Sequence, residues 1–175
     1  MTDRDELRTL NPPPAGLVLV WWQGFIVAVS RRNNAEDLNL PGGKLKPYEL
    51  ASVGAARELA EETGLELPAH RLTLVYTRDT GTPSGRMAHV FSVALTDSVP
   101  RKLIAETGLT ARWVRPERLL RKECSFRDFN AAMFESLGIL VETPDQDRIE
   151  ALERRMATNE TRIRGLETLM GLGNS

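Results

Sequence analysis

Cysteine is almost absent from this sequence: Cys124 stands alone, and the whole chain holds only two histidines. Neither an internal disulfide framework nor a thiolate zinc cluster can be built from that, and a reducing compartment, the cytoplasm, is the expected setting. An excess of charge is absent too. Lysine and arginine number 23 against 24 acids, a net charge of -1, so no overall field draws the chain to nucleic acid or to an anionic membrane. Phosphate chemistry has to be local, and nucleic acid is not an expected partner. Long apolar runs are also missing: none approaches the roughly 18 residues of a membrane-crossing helix. The opening MTDRDELRTL is acidic and polar, where a signal peptide needs a basic start and an apolar stretch. What is present is 41% hydrophobic and 27% charged residues in a chain of 175. That composition can bury one core and leaves a modest appendage, at about 150 residues per domain.

Residues 1–14 form a polar lead-in closed by Asn11-Pro12-Pro13-Pro14, which cannot continue a helix. Residues 15–141 alternate strand-like and helix-like patterns. Leu17 to Trp22 and Phe25 to Ser30 read as strands around a Gln23-Gly24 hairpin turn. Further strands are expected at Leu72 to Thr77, Met87 to Leu95 and around Trp113-Val114. A helix is expected from about Leu50 to Thr63, with Gly64 just past its end. A second should start from a Ser125 cap, carry Phe126, Phe129, Met133 and Leu137 on its apolar stripe, and end before Gly138. This order of elements implies a mixed α/β domain.

The chemistry is concentrated between Gly43 and Leu65. The chain there reads Gly43, five residues, Glu49, seven residues, then Arg57-Glu58-Leu59-Ala60-Glu61-Glu62-Thr63-Gly64-Leu65. At about 100° per helical residue, Glu58, Glu61 and Glu62 fall within an arc of about 100°, with Val53, Ala56, Leu59 and Ala60 on the other side. Carboxylates stacked in this way repel one another unless something positive binds among them. Oxygen ligands suit Mg²⁺ or Mn²⁺, which also take substrate phosphates and acidify a bound water. A divalent cation serving pyrophosphate cleavage is expected. An acidic run on a helix is ordinarily a solvated face, but the complete pattern arises by chance on the order of once in 10⁷ chains of this length.

This pattern resembles the signature box of the Nudix hydrolase family, matched at every defining position from Gly43 to Leu65. The resemblance implies an α/β/α sandwich with a mixed sheet over residues 15–141. It also implies Mg²⁺- or Mn²⁺-assisted hydrolysis of a nucleoside diphosphate linked to another group. By position, Glu58, Glu61 and Glu62 become metal ligands together with the backbone carbonyl of Gly42, and Arg57 pairs with Glu49 to orient the helix. The base stays open between Glu61 and Glu106, since relatives take it either from the box or from a later loop. Gly54 departs from the longer polar residue commoner inside the box, costing up to about 1 kcal/mol of helix stability; it is assigned to a frayed first turn.

Arg31, Arg32, Lys44, Arg78 and Arg86 flank the box and are candidates for holding phosphate oxygens, with Arg31, Lys44 and Arg78 the leading ones. Trp21 and Trp22, adjacent on a strand, must face opposite sides, one into the core and the other free to stack on a base. His70 and His89 lack paired ligand spacing and are assigned to structure or surface. Leu40-Pro41-Gly42-Gly43-Lys44 looks like the approach to the box in relatives that cleave nucleoside triphosphates. Relatives acting on ADP-ribose or dinucleoside polyphosphates often carry proline or tyrosine about sixteen residues past the box, where Gly81 stands here, with Pro83 nearby. A nucleoside triphosphate pyrophosphohydrolase is the leading expectation. The alternatives are an ADP-ribose or dinucleoside polyphosphate hydrolase, and a non-catalytic nucleotide sensor.

Residues 143–175 carry a different signal. Thr143-Pro144-Asp145-Gln146 resembles a helix start. Ile149, Leu152, Met156, Asn159, Ile163, Leu166 and Met170 then follow a and d heptad spacing. Arg148, Arg155 and Arg162 fall at g, and Glu153, Glu160 and Glu167 at e, opposite in sign in a parallel pairing. A parallel coiled coil joining copies of the chain through residues 143–171 is expected, with dimer and trimer both open.

Overall fold

Eight successive residues, Ala15–Trp22, form strand β1, and the first six are buried although they alternate between the two faces. A strand that is apolar on both sides belongs in the middle of a covered sheet. The computed structural model describes residues 12–80 and 85–141, and there β1 is indeed central. It pairs antiparallel with β2 (Phe25–Arg31) and parallel with β6 (Met87–Ala94). Beyond them lie β3 (Asn34–Asn39) beside β2 and β5 (Thr73–Asp79) beside β6, giving the order β3-β2-β1-β6-β5. Two short strands pair off this path, β4 (Gly42–Lys44) with β1 and β7 (Ala111–Val114) with β2. Gln23 and Gly24 both take positive φ, 47° and 80°, the combination that matches the twist of a two-residue hairpin.

Alternation along β1 sends its side chains into two separate cores. Leu17 and Leu19 join Ile26, Leu38, Val90, Met133 and Phe134 on one face. Val18 and Val20 join Val27, Leu59, Phe91 and Val93 on the other. Helix α1 (Ala51–Thr63) covers the second face and helix α2 (Arg127–Ser136) the first. This is the expected α/β/α sandwich on a mixed sheet. Each fully buried Leu, Val or Phe contributes about 1.5–3 kcal/mol of transfer free energy.

Helix α1 ends at Gly64, whose φ of 71° and N–H bond to the Ala60 carbonyl form a left-handed cap. The beginning of α2 differs from expectation. Ser125 does not cap it; its hydroxyl and amide both donate to the carboxylate of Asp37, at 2.5 and 2.8 Å. Asp37 is only 5% exposed, and a carboxylate so enclosed requires donors. The helix therefore starts at Arg127, with Phe126 at its N-cap position and no side-chain cap. Strands β3 and β4 were not anticipated, because one is a polar edge strand exposed at Asn34, Ala35 and Glu36, and the other is largely glycine. Trp21 and Trp22 both pack against a core, one on each face. Trp22 also donates to the Asp97 carbonyl at 2.9 Å, so neither is left as a stacking platform.

The first eleven residues, Gly81 and Pro83, and the heptad segment lie outside the described residues. Among those described, no helix is long and apolar enough to cross a membrane.

Candidate active site

The site is assembled where β4 runs into α1. Gly42 has φ 150°, and a Cβ there would collide with the backbone of Gly16 and Leu17, so only glycine brings this strand so close to β1. At Gly43 a Cβ would lie 2.5–2.8 Å from the Glu58 carboxylate. The paired glycines thus let an acidic helix face lie directly against sheet backbone. Gly54 is buried within α1, where a Cβ would meet Leu45 and the Glu49 carboxylate. It is a close-packing position and not a frayed turn.

Arg57 is the hub of the acidic face. It grips Glu49 with two parallel hydrogen bonds, Nε to Oε1 at 2.9 Å and Nη2 to Oε2 at 3.0 Å. Its Nη1 reaches Glu58 at 2.8 Å and Glu61 at 3.1 Å. Glu49 is held well below the ordinary carboxylate range, at about 2, by Arg57 first and then by the Lys46 amide. Glu62 is placed differently. At about 100° per residue it falls on the stripe of Ala55 and Leu59, the buried residues of the helix. Val53, expected on the buried side, is exposed. The Glu62 Oε2 accepts the Gly42 amide at 2.8 Å. Its carboxyl is pushed up to about 7, by burial above all, and further by the charges of Glu58, Glu106 and Glu61.

Glu62 and Glu106 both line a cavity of about 570 Å³, with Arg31, Arg32, Asp37, Asn39, Gly42 and Phe126 among its other walls. A second cavity, of about 410 Å³, shares Asn39, Gly42 and Phe126 and adds Lys44, Arg86, Leu17 and Phe129. Arg31 spans the first: its guanidinium lies 5.9 Å from the Phe126 ring centre and its Nε 3.9 Å from Asp37. Arg78 lines neither cavity; it hydrogen-bonds with Tyr76, which raises its pKa. Glu61 is over half exposed and paired with Arg57, while Glu106 is paired with Arg32. His70 lies on an exposed turn and His89 contacts Thr77. Asn39 and Phe126 escaped sequence reasoning as wall residues, since Asn39 lies on the unrecognised β3 and Phe126 was assigned to the core.

Among the described residues no three acids are gathered closely enough, as the side chains stand, to hold a metal ion. Arg57 draws Glu58 and Glu61 to itself, and Glu62 turns to the Gly42 amide. The donor chemistry nonetheless fits a hard divalent cation: carboxylate oxygens around a largely buried acid whose pKa is raised by burial first and by its acidic neighbours after it.

The family model of the NUDIX domain matches residues 11–136. A MutT-like protein from Streptomyces ambofaciens is 33% identical over 102 residues, 58% of this chain and 62% of that protein. The chain therefore spans less than two thirds of that relative. In fold it is similar to the dihydroneopterin triphosphate pyrophosphohydrolase of E. coli, with TM-score 0.55, 19% identity, 71% of this chain and 94% of that one. It is also similar to the bifunctional NMN adenylyltransferase/ADP-ribose pyrophosphatase of Francisella tularensis, solved with AMP and a manganese ion. There the TM-score is 0.50, the identity 23%, and the match covers 64% of this chain and 37% of that one. The chain belongs to the Nudix hydrolase family.

Proposed function

We propose that this chain is a divalent-metal-dependent nucleoside triphosphate pyrophosphohydrolase whose reaction centre is the cavity bordered by Glu62 and Glu106. One observation carries the reading: a largely buried carboxyl, raised to about 7 by burial first and by three neighbouring acids after it, opens into a space that shares its walls with a partly aromatic one. Surplus negative charge beside a nucleotide-sized space suits a cation with a phosphate chain.

Glu58, Glu61, Glu62 and the Gly42 carbonyl would hold Mg²⁺ or Mn²⁺. When bound, such a cation acidifies water and neutralises charge on the phosphates. Glu106 accepts the proton of the attacking water, because it borders the cavity while Glu61 is turned out to Arg57. Water adds to phosphorus, the bridging P–O bond breaks, and the products are a nucleoside monophosphate and pyrophosphate. Arg31 and Lys44 hold phosphate oxygens from the two cavities. Phe126 and Phe129 provide an apolar seat for the nucleoside.

A hydrolysis panel tests this: nucleoside triphosphates, ADP-ribose, dinucleoside polyphosphates and capped RNA, with and without Mg²⁺, products resolved by phosphate. Metal-dependent release of pyrophosphate from a triphosphate supports the reading. Preference for ADP-ribose or a dinucleoside polyphosphate moves the substrate class, and nucleotide binding without turnover points to a sensor. We propose in addition that the 143–171 heptads join copies of the chain, on the strength of their core and charge pattern. Ending the chain after Val141 should then lower the mass measured by light scattering.

A further inference from the structure

The loop carrying Glu106 is tied down along its length. At its start the Ile104 amide donates to the Thr63 carbonyl, at the end of α1, at 2.8 Å. At its finish Thr110 and Ser30 exchange two bonds: the Ser30 amide to the Thr110 carbonyl and the Thr110 amide to the Ser30 hydroxyl, each 2.9 Å. Between them the Leu109 amide closes a turn on the Glu106 carbonyl at 2.9 Å, with Gly108 at φ 86° supplying the left-handed residue such a turn needs. The backbone under Glu106 is thus set by β2 and α1. Its side chain, 43% exposed, still has rotamers that point to water.

Arg32 removes that freedom. One arm of its guanidinium donates to the Thr107 carbonyl at 3.2 Å, and the other is paired with the Glu106 carboxylate. The rigid fork binds two atoms of one turn, as a guanidinium does better than an ammonium. Both donors that face the turn are committed there. Arg31, its neighbour, is directed instead toward Asp37 and Phe126. We infer that Arg32 is a positioning residue, which aims Glu106 across the cavity at the attacking water and does not hold substrate itself. The inference rests on the assignment of Glu106 as base.

Steady-state kinetics on the full chain, with whichever substrate the hydrolysis panel selects, tests it. Arg32→Ala should lower kcat by about 10-fold with KM changed by less than about 2-fold, as for an interaction made only in the transition state. Arg32→Lys should recover part of the loss. In a Glu106→Gln background the same Arg32→Ala change should cost under about 2-fold, because the side chain it aims no longer takes a proton. A raised KM at constant kcat would assign Arg32 to substrate and overturn the inference. So would full activity of Arg32→Ala, or an undiminished loss in the Glu106→Gln background. Arg32 is 61% exposed, so folding should persist, and the Arg32→Lys variant serves as the folded control. A wild-type chain silent on the whole panel would remove the proposed function and this inference together; an active wild type with an indifferent Arg32 removes only the inference.

Discussion

Two arginine–glutamate networks in this molecule use the same side chains to opposite ends. Around Glu36, one carboxylate meets two guanidiniums: Arg112 at 3.3 Å and Arg118, which also donates to the Glu36 carbonyl at 3.1 Å and to the Cys124 sulfur at 3.5 Å. The Glu36 carboxyl is lowered from its ordinary value, by Arg118 first and then Arg112. That cluster ties β3 to β7 and to the turn before α2. Around Arg57 the stoichiometry is reversed: one guanidinium serves Glu49, Glu58 and Glu61, and Glu62 is left with an amide for company. A network with guanidiniums in surplus acts as a clasp. One with acids in surplus adds to the effect of burial in raising the Glu62 carboxyl to about 7.

The contrast can be broken most severely at Glu62. Replacing it by glutamine should lower kcat by about 10³-fold or more, as expected for a lost metal ligand, with the circular dichroism spectrum unchanged. Unaltered turnover would remove Glu62 from the metal site.

The same substitution should do the reverse to stability. The Glu62 carboxyl is raised from 4.5 to about 7 in the folded chain, so the protonated form favours folding. That contribution is complete below pH 4.5 and is lost as pH rises through about 7. Without metal, Glu62→Gln should therefore be more stable than the wild type above pH 7, by up to about 3 kcal/mol. Below pH 4.5 the two should coincide. Urea melts at pH 4 and pH 8 measure the difference, and adding Mg²⁺ at pH 8 should stabilise the wild type selectively.

At the Glu36 network the pattern inverts. Arg118 is 13% exposed and serves both Glu36 and Cys124, so Arg118→Ala should destabilise by about 2 kcal/mol. Activity per folded molecule should be retained, and a large kcat loss in a well-folded variant would show that this cluster is more than a clasp. The smallest effect concerns the loop leading into the Arg57 network, where Tyr48 holds φ 63° with its side chain fully exposed. Tyr48→Gly relieves left-handed strain at some entropic cost and should raise stability by about 0.5 kcal/mol, read as a small upward shift in Tm.

Local rules explain how much of this could be read from sequence. The central strands are continuous in their apolar residues, α1 carries a helical pattern, and the Gln23-Gly24 and Gly64 punctuation marks their ends, so those elements were legible. Strands β3 and β4 were not, because an exposed edge strand and a glycine pair carry no hydrophobic period. Ser125 misled because a serine before an apolar stripe looks like a cap, and only the folded chain reveals the buried Asp37 that claims its hydroxyl. Arg78 looked as suitable for phosphate as Arg31, since charge in a sequence carries no address.

The sequence alone determined the class of protein, the acidic helix and the identity of its carboxylates, because helical periodicity and glycine requirements act over a few residues. Tertiary structure decided which of those acids resists ionisation, since only the folded chain desolvates Glu62 and brings Glu106 near it, against the opposing pull of the Gly42 amide. It also decided which remote residues meet them. Arg32 and Glu106, 74 positions apart, are paired by the packing of β2 against the loop before β7, a contact that no local pattern encodes.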